Sequence, residues 1–199
     1  MSCEGCPSQG KCGKNSETCG IQSNPDNHIK NIITVMSGKG GVGKSTVTVM
    51  LAKAMAKKGL KVGIMDADIA GPSIPRLLAL TNQHAYGNEK QQLIPIESKE
   101  GIKVMSLNFL VQSESDPVIW RGPVIGGVVK QFYTDVVWGD LDVLLIDMPP
   151  GTGDVALTIM QSIPVQGVVM VSTPQPMVSM IVEKACHMCE NGSQSSWYH

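Results

Sequence analysis

Large apolar side chains are nearly absent from the first 28 residues and then arrive in short, regularly spaced runs. IITVM (32–36), KVGIMD (61–66), IKVMSL (102–107), LDVLLID (141–147) and GVVMVST (167–173) have the length of strands. Their nearly continuous apolar character predicts strands covered on both faces of a sheet. Between them, residues Lys44–Lys58, 124–138, Asp154–Ser162 and Met177–Glu190 show helical spacing, with Gly59 placed to end the first helix. ADIAGPSIPR (67–76), broken by Gly and Pro, reads as a loop, and the polar stretch 82–92 as a surface excursion. Strands alternating with helices predict an α/β fold: right-handed crossovers and a mostly parallel central sheet flanked by helices.

Both ends break this order. Residues 1–28 are rich in Gly, Ser, Asn and Cys and cannot bury a core, so they read as a tail attached to a domain over 29–190. The last nine residues, NGSQSSWYH (191–199), are polar and aperiodic. The α/β pattern stops there, and the expectation is a domain whose C-terminal part is missing. The formal net charge of −1 gives no electrostatic reason to expect nucleic acid or an anionic membrane as partner. No apolar run reaches the roughly 18 residues that span a bilayer, and the N-terminus lacks a signal-like apolar stretch. A cytoplasmic protein is expected, in which clustered cysteines serve metal or redox chemistry rather than disulfides.

The chemistry concentrates at the end of the first strand. GKGGVGKST (38–46) contains the P-loop pattern G-x-x-x-x-G-K-[ST] between a strand and a helix. Gly38, Lys39, Gly40, Gly41, Val42, Gly43, Lys44, Ser45 and Thr46 are the candidate nucleotide-binding residues. The glycines let successive backbone amides turn inward toward phosphate oxygens, and the helix N-terminus adds partial positive charge. Lys44 is placed to reach the β- and γ-phosphates, and the Ser45 hydroxyl to ligate Mg²⁺. Asp147 ends an apolar strand, the place of a carboxylate that holds the Mg²⁺ water shell. Asp66 and Asp68 follow the second strand in DAD, where a carboxylate can orient an attacking water or bind Mg²⁺. All three acids fall at carboxyl ends of strands, the edge where open α/β sheets bind ligands. Lys39, a second lysine within the loop, is by itself a solvated charge.

With that second lysine, KGGVGKS resembles the deviant Walker A loop of the MinD, ParA, ArsA and nitrogenase-iron-protein class, the SIMIBI/MinD-like P-loop NTPases. The resemblance implies an ATP-linked homodimer in which Lys39 reaches the partner's nucleotide. More of the chain is similar to one branch. SGKGGVGKST (37–46), DADIAGPSIP (66–75), the RGP of 121–123, LLIDMPPGTGD (144–154) and STPQ (172–175) resemble the Mrp/ApbC family from about Asn31 to Cys189. Those proteins are P-loop ATPases that assemble iron–sulfur clusters and deliver them to apo-proteins. The resemblance makes Lys39, Lys44, Asp68 and Asp147 the catalytic candidates, with Asp68 as the water-positioning acid and Asp147–Asp154 as a loop sensing the γ-phosphate. Mg²⁺ falls to Ser45, Asp68 and Asp147.

The chain also departs from the family. Complete members continue past the position of Glu190 with a strand–helix region carrying a cluster-bridging Cys-x-x-Cys pair and an adenine-binding Asn. A frameshift or fragment boundary near Glu190 is the preferred explanation. Pro176 stands where the family more often has an acidic or polar residue.

Cys3, Cys6, Cys12 and Cys19 have the spacing C-x2-C-x5-C-x6-C. Four thiolates can close a zinc site or hold an iron–sulfur cluster, and the spacing alone leaves both open. Some family members carry a cluster on a Cys-rich N-terminal extension, so the resemblance favours a cluster of the 4Fe–4S type, with zinc as the alternative. Cys186 and Cys189 lie among apolar residues of a helix and read as buried free cysteines, with His187 on the surface. The twelve methionines read as core filler, and Trp120, Phe132, Tyr133 and Trp138 as packing around the 124–138 helix. The leading reading is an ATP-hydrolysing iron–sulfur carrier. The alternatives are a spatial regulator like MinD or ParA and a non-functional fragment of the carrier.

Overall fold

A computed structural model of the chain describes residues 24–68, 71, 73–90, 92–110, 122–151 and 153–173. Six strands among them form one sheet: β1 His28–Ser37, β2 Val62–Asp66, β3 Ile96–Glu97, β4 Lys103–Ser106, β5 Asp140–Asp147 and β6 Gly167–Val171. The spatial order is β3-β4-β2-β5-β1-β6, and every neighbouring pair is parallel except β3 with β4. The five apolar runs are thus β1, β2, β4, β5 and β6. The two-residue β3 is too short to carry any periodicity.

Among the described residues four α-helices connect them: α1 Lys44–Lys57, α2 Ile74–Leu77, α3 Gly122–Thr134 and α4 Asp154–Ser162. The α1 helix stops as its sequence dictates. Gly59 adopts φ 83°, its N–H donates to the Ala56 carbonyl, and the Leu60 N–H donates to that of Met55. This pair of bonds satisfies carbonyls that a helix end otherwise leaves open. The α4 helix spans the expected residues, whereas α3 ends four residues earlier than its apolar pattern suggests. Beyond it, Val136 bridges to Leu93, and Trp138 turns back so that its indole N–H donates to the Phe132 carbonyl. Val136 and Trp138 continue the apolar pattern because they are buried, not because they are helical. The short α2 helix, with Pro75 in its first turn, begins inside the stretch expected to be loop.

The crossovers obey one handedness. From β1 the chain moves toward one edge of the sheet to reach β2, and α1 packs on the face holding Val49, Ala52, Ile64, Val104 and Leu145. From β4 to β5 and from β5 to β6 it moves the opposite way. There α3 and α4 cover the other face with Met36, Met65, Phe132, Leu144 and Ile146. Opposite directions with opposite faces are what right-handed crossovers require. Successive β5 residues alternate between the two cores, so a strand that reads as uniformly apolar serves both layers. Gly63 in β2 makes room for this packing. A Cβ there would lie 2.6 Å from Leu141 Cδ1 and 3.2 Å from Trp138 Cε3. Of the expected aromatic packing, Phe132, Tyr133 and Trp138 are buried, and Trp120 lies outside the described residues.

The start of β1 is pinned. Residues 24–27 form a turn closed by the Asn27 N–H on the Asn24 carbonyl. The Asn27 side chain donates to the Val136 carbonyl and accepts from the Gly139 N–H, while the His28 N–H donates to the Gly139 carbonyl. Asn24 is buried and lies within 3.3 Å of the Gln92 amide.

Candidate functional site

The carboxyl end of β1 runs directly into residues 38–43, which deliver the chain to the first residue of α1. Gly41 and Gly43 sit at φ 77° and 87°, in the left-handed region that side chains disfavour. The helical ladder begins inside the loop, where the Val47 N–H donates to the Gly43 carbonyl. Gly43 is the N-cap and supplies no side-chain cap, and the first turn carries no acidic residue. The leading amides of α1 therefore keep their hydrogen-bonding capacity and partial positive charge. A Cβ added at Gly40, Gly41 or Gly43 would meet nothing within 4 Å. Backbone amides at a helix start suit an anion.

Beneath the loop the predicted residues converge. Lys44 is 6% exposed, and its Nζ lies 2.9 Å from Asp147 Oδ2 and 3.6 Å from Asp68 Oδ2. Ser45 Oγ donates to the same Asp147 Oδ2 at 2.6 Å. Asp147 is fully buried at the last residue of β5, in register with Asp66 at the last residue of β2. Asp66 accepts from Ser106 Oγ at 3.0 Å and from the Asp68 N–H at 3.2 Å. Asp68, two residues beyond the strand, stands nearer the mouth, its side chain 14% exposed against 1% for Asp66. In the loop, Gly38 is buried, Lys39 and Val42 are half-buried, and Thr46 is exposed. The Lys39 carbonyl accepts from Ser37 Oγ. The segment after β5 is tied to the base of the loop, because the Met148 N–H donates to the Val35 carbonyl and the Gly151 N–H to that of Ser37.

Among the described residues, Lys44 thus pairs with the carboxylates of Asp147 and Asp68, and Asp66 lies behind them. Burial, reinforced by the nearby charge of Asp147, pushes the Asp66 carboxyl up to about 8, against the opposing pull of the Ser106 hydrogen bond and Lys44. Burial also raises Asp68, with Lys44 counteracting it. Such a cluster is short of positive charge and suits a divalent cation. Among the described residues no three His, Cys, Asp or Glu side chains converge as a ready-made metal cage. Mg²⁺ keeps water and phosphate oxygens as ligands and uses few protein atoms. Ser45, with Asp147 behind it, fits that role.

Two residues escaped the sequence reading. Thr48 Oγ1 lies 2.8 Å from Asp147 Oδ1 and 3.1 Å from the Lys44 carbonyl oxygen, fully buried. Its place four residues after Lys44, on the same helix face, is the signal that could have found it. Ser106 closes β4 at the same sheet edge as Asp66, its register partner. Cys3, Cys6, Cys12, Cys19, Cys186, Cys189, His187 and Pro176 lie outside the described residues, as does the expected Met177–Glu190 helix. Of the Asp147–Asp154 loop, Thr152 and the Asp154 side chain also lie outside them.

Comparison with known proteins places this geometry. A ParA family model, described as NUBPL iron-transfer P-loop NTPase, matches residues 28–196. The iron-sulfur cluster carrier protein of Clostridium perfringens is 50% identical over 200 residues, spanning 94% of this chain and 70% of that protein. A solved nucleotide-binding protein from Archaeoglobus fulgidus, in complex with ADP, superposes with a TM-score of 0.72 at 48% identity, covering 82% of this chain and 63% of that one. The cell-division ATPase MinD of Pyrococcus furiosus shares the fold, with a TM-score of 0.61 at 21% identity over 82% of this chain and 68% of that one. Against eight of the curated relatives it matches, the chain spans between 44% and 70% of their length.

Proposed function

Because the chain belongs to the NUBPL iron-transfer family of P-loop NTPases, we propose that it is an ATP-hydrolysing carrier that assembles iron–sulfur clusters and passes them to apo-proteins. The observation that carries the nucleotide half is the uncapped start of α1 above the Lys44–Ser45–Asp147 constellation. Loop amides of residues 38–46 cradle the phosphates. Lys44 leaves Asp147 to meet the β- and γ-phosphates, and Ser45 turns its hydroxyl oxygen to Mg²⁺. Bound Mg²⁺ supplies charge neutralisation on the phosphoryl oxygens. Asp68, at the mouth, orients the water that attacks the γ-phosphorus. The bond to the bridging oxygen then breaks, leaving ADP and phosphate. Preorganised amides and Lys44 stabilise the charge that develops on the transferring group.

The carrier half rests on the family match and on Cys3, Cys6, Cys12 and Cys19, which in this reading hold the cargo as a 4Fe–4S cluster. Lys39 acts across a homodimer, and the protein works in the cytoplasm. Among the described residues no helix is long and apolar enough to cross a membrane. Relatives named for cluster carriage, and a family model described by iron transfer, weigh against a spatial regulator.

The test is anaerobic purification of the whole chain, with iron, sulfide and zinc analysis and an ATP turnover assay. Lys44→Ala is expected to abolish turnover. Unchanged turnover in a pure preparation of that variant defeats the nucleotide reading, and a colourless, zinc-loaded protein defeats the cluster reading.

A further inference from the structure

The two oxygens of Asp147 have separate partners. Oδ2 receives Lys44 Nζ and Ser45 Oγ, whereas Oδ1 receives Thr48 Oγ1. The proposed function, on which this inference rests, draws both Oδ2 partners away when nucleotide binds. The Thr48 contact is of another kind. Thr48 stands on the second turn of α1, behind the loop, and is fully buried. Its hydroxyl also lies 3.1 Å from the carbonyl of Lys44, four residues earlier. That position is one of the two rotamers a helical threonine favours. The single hydroxyl proton has a choice of two acceptors, and the charged one is also the nearer.

We propose that Thr48 is a positioning residue for Asp147, and that through this bond it sets the affinity of the site for Mg²⁺. Holding Oδ1 fixes the plane of the carboxylate and leaves Oδ2 aimed at Ser45 Oγ, where the cation or its water shell is received. Without the hydroxyl, a fully buried carboxylate oxygen loses its donor from the helix. Hydrogen bonds to charged groups are strong enough that the loss amounts to roughly tenfold or more in an equilibrium constant.

The experiment follows a fluorescent ATP analogue as Mg²⁺ is titrated into the whole chain. Circular dichroism melts check that each variant is folded. Thr48→Val keeps the shape and removes the donor. It is expected to raise the Mg²⁺ needed for half-maximal response at least about tenfold. Binding of the analogue in EDTA, which depends on the loop and Lys44, is expected to stay within about threefold of wild type by the same reasoning. Thr48→Ser keeps the donor and loses the methyl, and is expected to respond like wild type. A packing role would give the reverse order. Should Thr48→Val fail to fold, Thr48→Ala replaces it, with the same requirement that only the serine variant keep the wild-type Mg²⁺ response. A donor-less variant with wild-type Mg²⁺ response, or a serine variant impaired as much as the donor-less one, overturns the proposal. A wild-type chain that binds no analogue at all overturns the underlying nucleotide reading, an outcome visible before any variant is made.

Discussion

Asp66 offers the sharpest test of the electrostatics beneath the loop. Its carboxyl is 1% exposed and faces Asp147 across the β2–β5 ladder, which raises it from an ordinary 3.8 to about 8. Between those two values the folded chain holds a proton at Asp66 that the unfolded chain has released. Stability therefore falls as pH rises, by roughly 1.4 kcal/mol per pH unit from this residue alone. Its contribution is complete below about pH 4 and is gone once the pH passes about 8. Asp66→Asn carries no such proton. Urea unfolding of both proteins in nucleotide-free, Mg²⁺-free buffer is expected to show the variant gaining on wild type by about 2–3 kcal/mol between pH 5.5 and 7.5. The amide also alters the bonds to Ser106 and the Asp68 N–H. That cost is the same at every pH and drops out of the comparison. Two curves that run parallel across this range would refute the claim that burial keeps Asp66 protonated.

Other consequences are simpler to check. Gly63→Ala forces a Cβ into Leu141, Leu144 and Trp138. It is expected to destabilise the fold by about 1–3 kcal/mol in urea unfolding while leaving nucleotide affinity unchanged, since it acts on the core behind the sheet. Replacing Cys3, Cys6, Cys12 and Cys19 together by serine is expected to strip bound metal, measured by elemental analysis, and to leave nucleotide binding intact.

The fold was legible wherever one run of side chains carried one structural signal. LDVLLID announces a strand buried on both faces, and its residues do divide between the two cores. Gly59 announces the end of α1 because only a residue at ease with positive φ closes that pair of carbonyl bonds. Signals failed where a tertiary contact gave the order. Val136 and Trp138 extend an apolar period beyond the end of α3 because bridge and indole contacts bury them. The loop of residues 38–46 was readable because its chemistry is contiguous. Thr48 and Ser106 were not, since a hydroxyl on a helix or strand is unremarked until its acceptor, 99 residues away for Thr48 and 40 for Ser106, folds against it. The residues of DAD alone do not rank its two acids; the family resemblance favoured Asp68. Burial separates them, setting Asp66 behind and Asp68 at the opening.

The turn at 24–27 fixes more than the first hydrogen bonds of β1. It roots the cysteine-bearing segment at the sheet edge where strands enter, and the glycine loop is where β1 leaves. Ten extended residues hold these ends roughly 30 Å apart. Cys19 precedes Asn24 by five residues, a tether that stretches to about 18 Å at most. In the proposed carrier, that reach is shorter than the strand separating the turn from the glycine loop. Any conversation between the two must travel through the body of the sheet or arrive from another subunit.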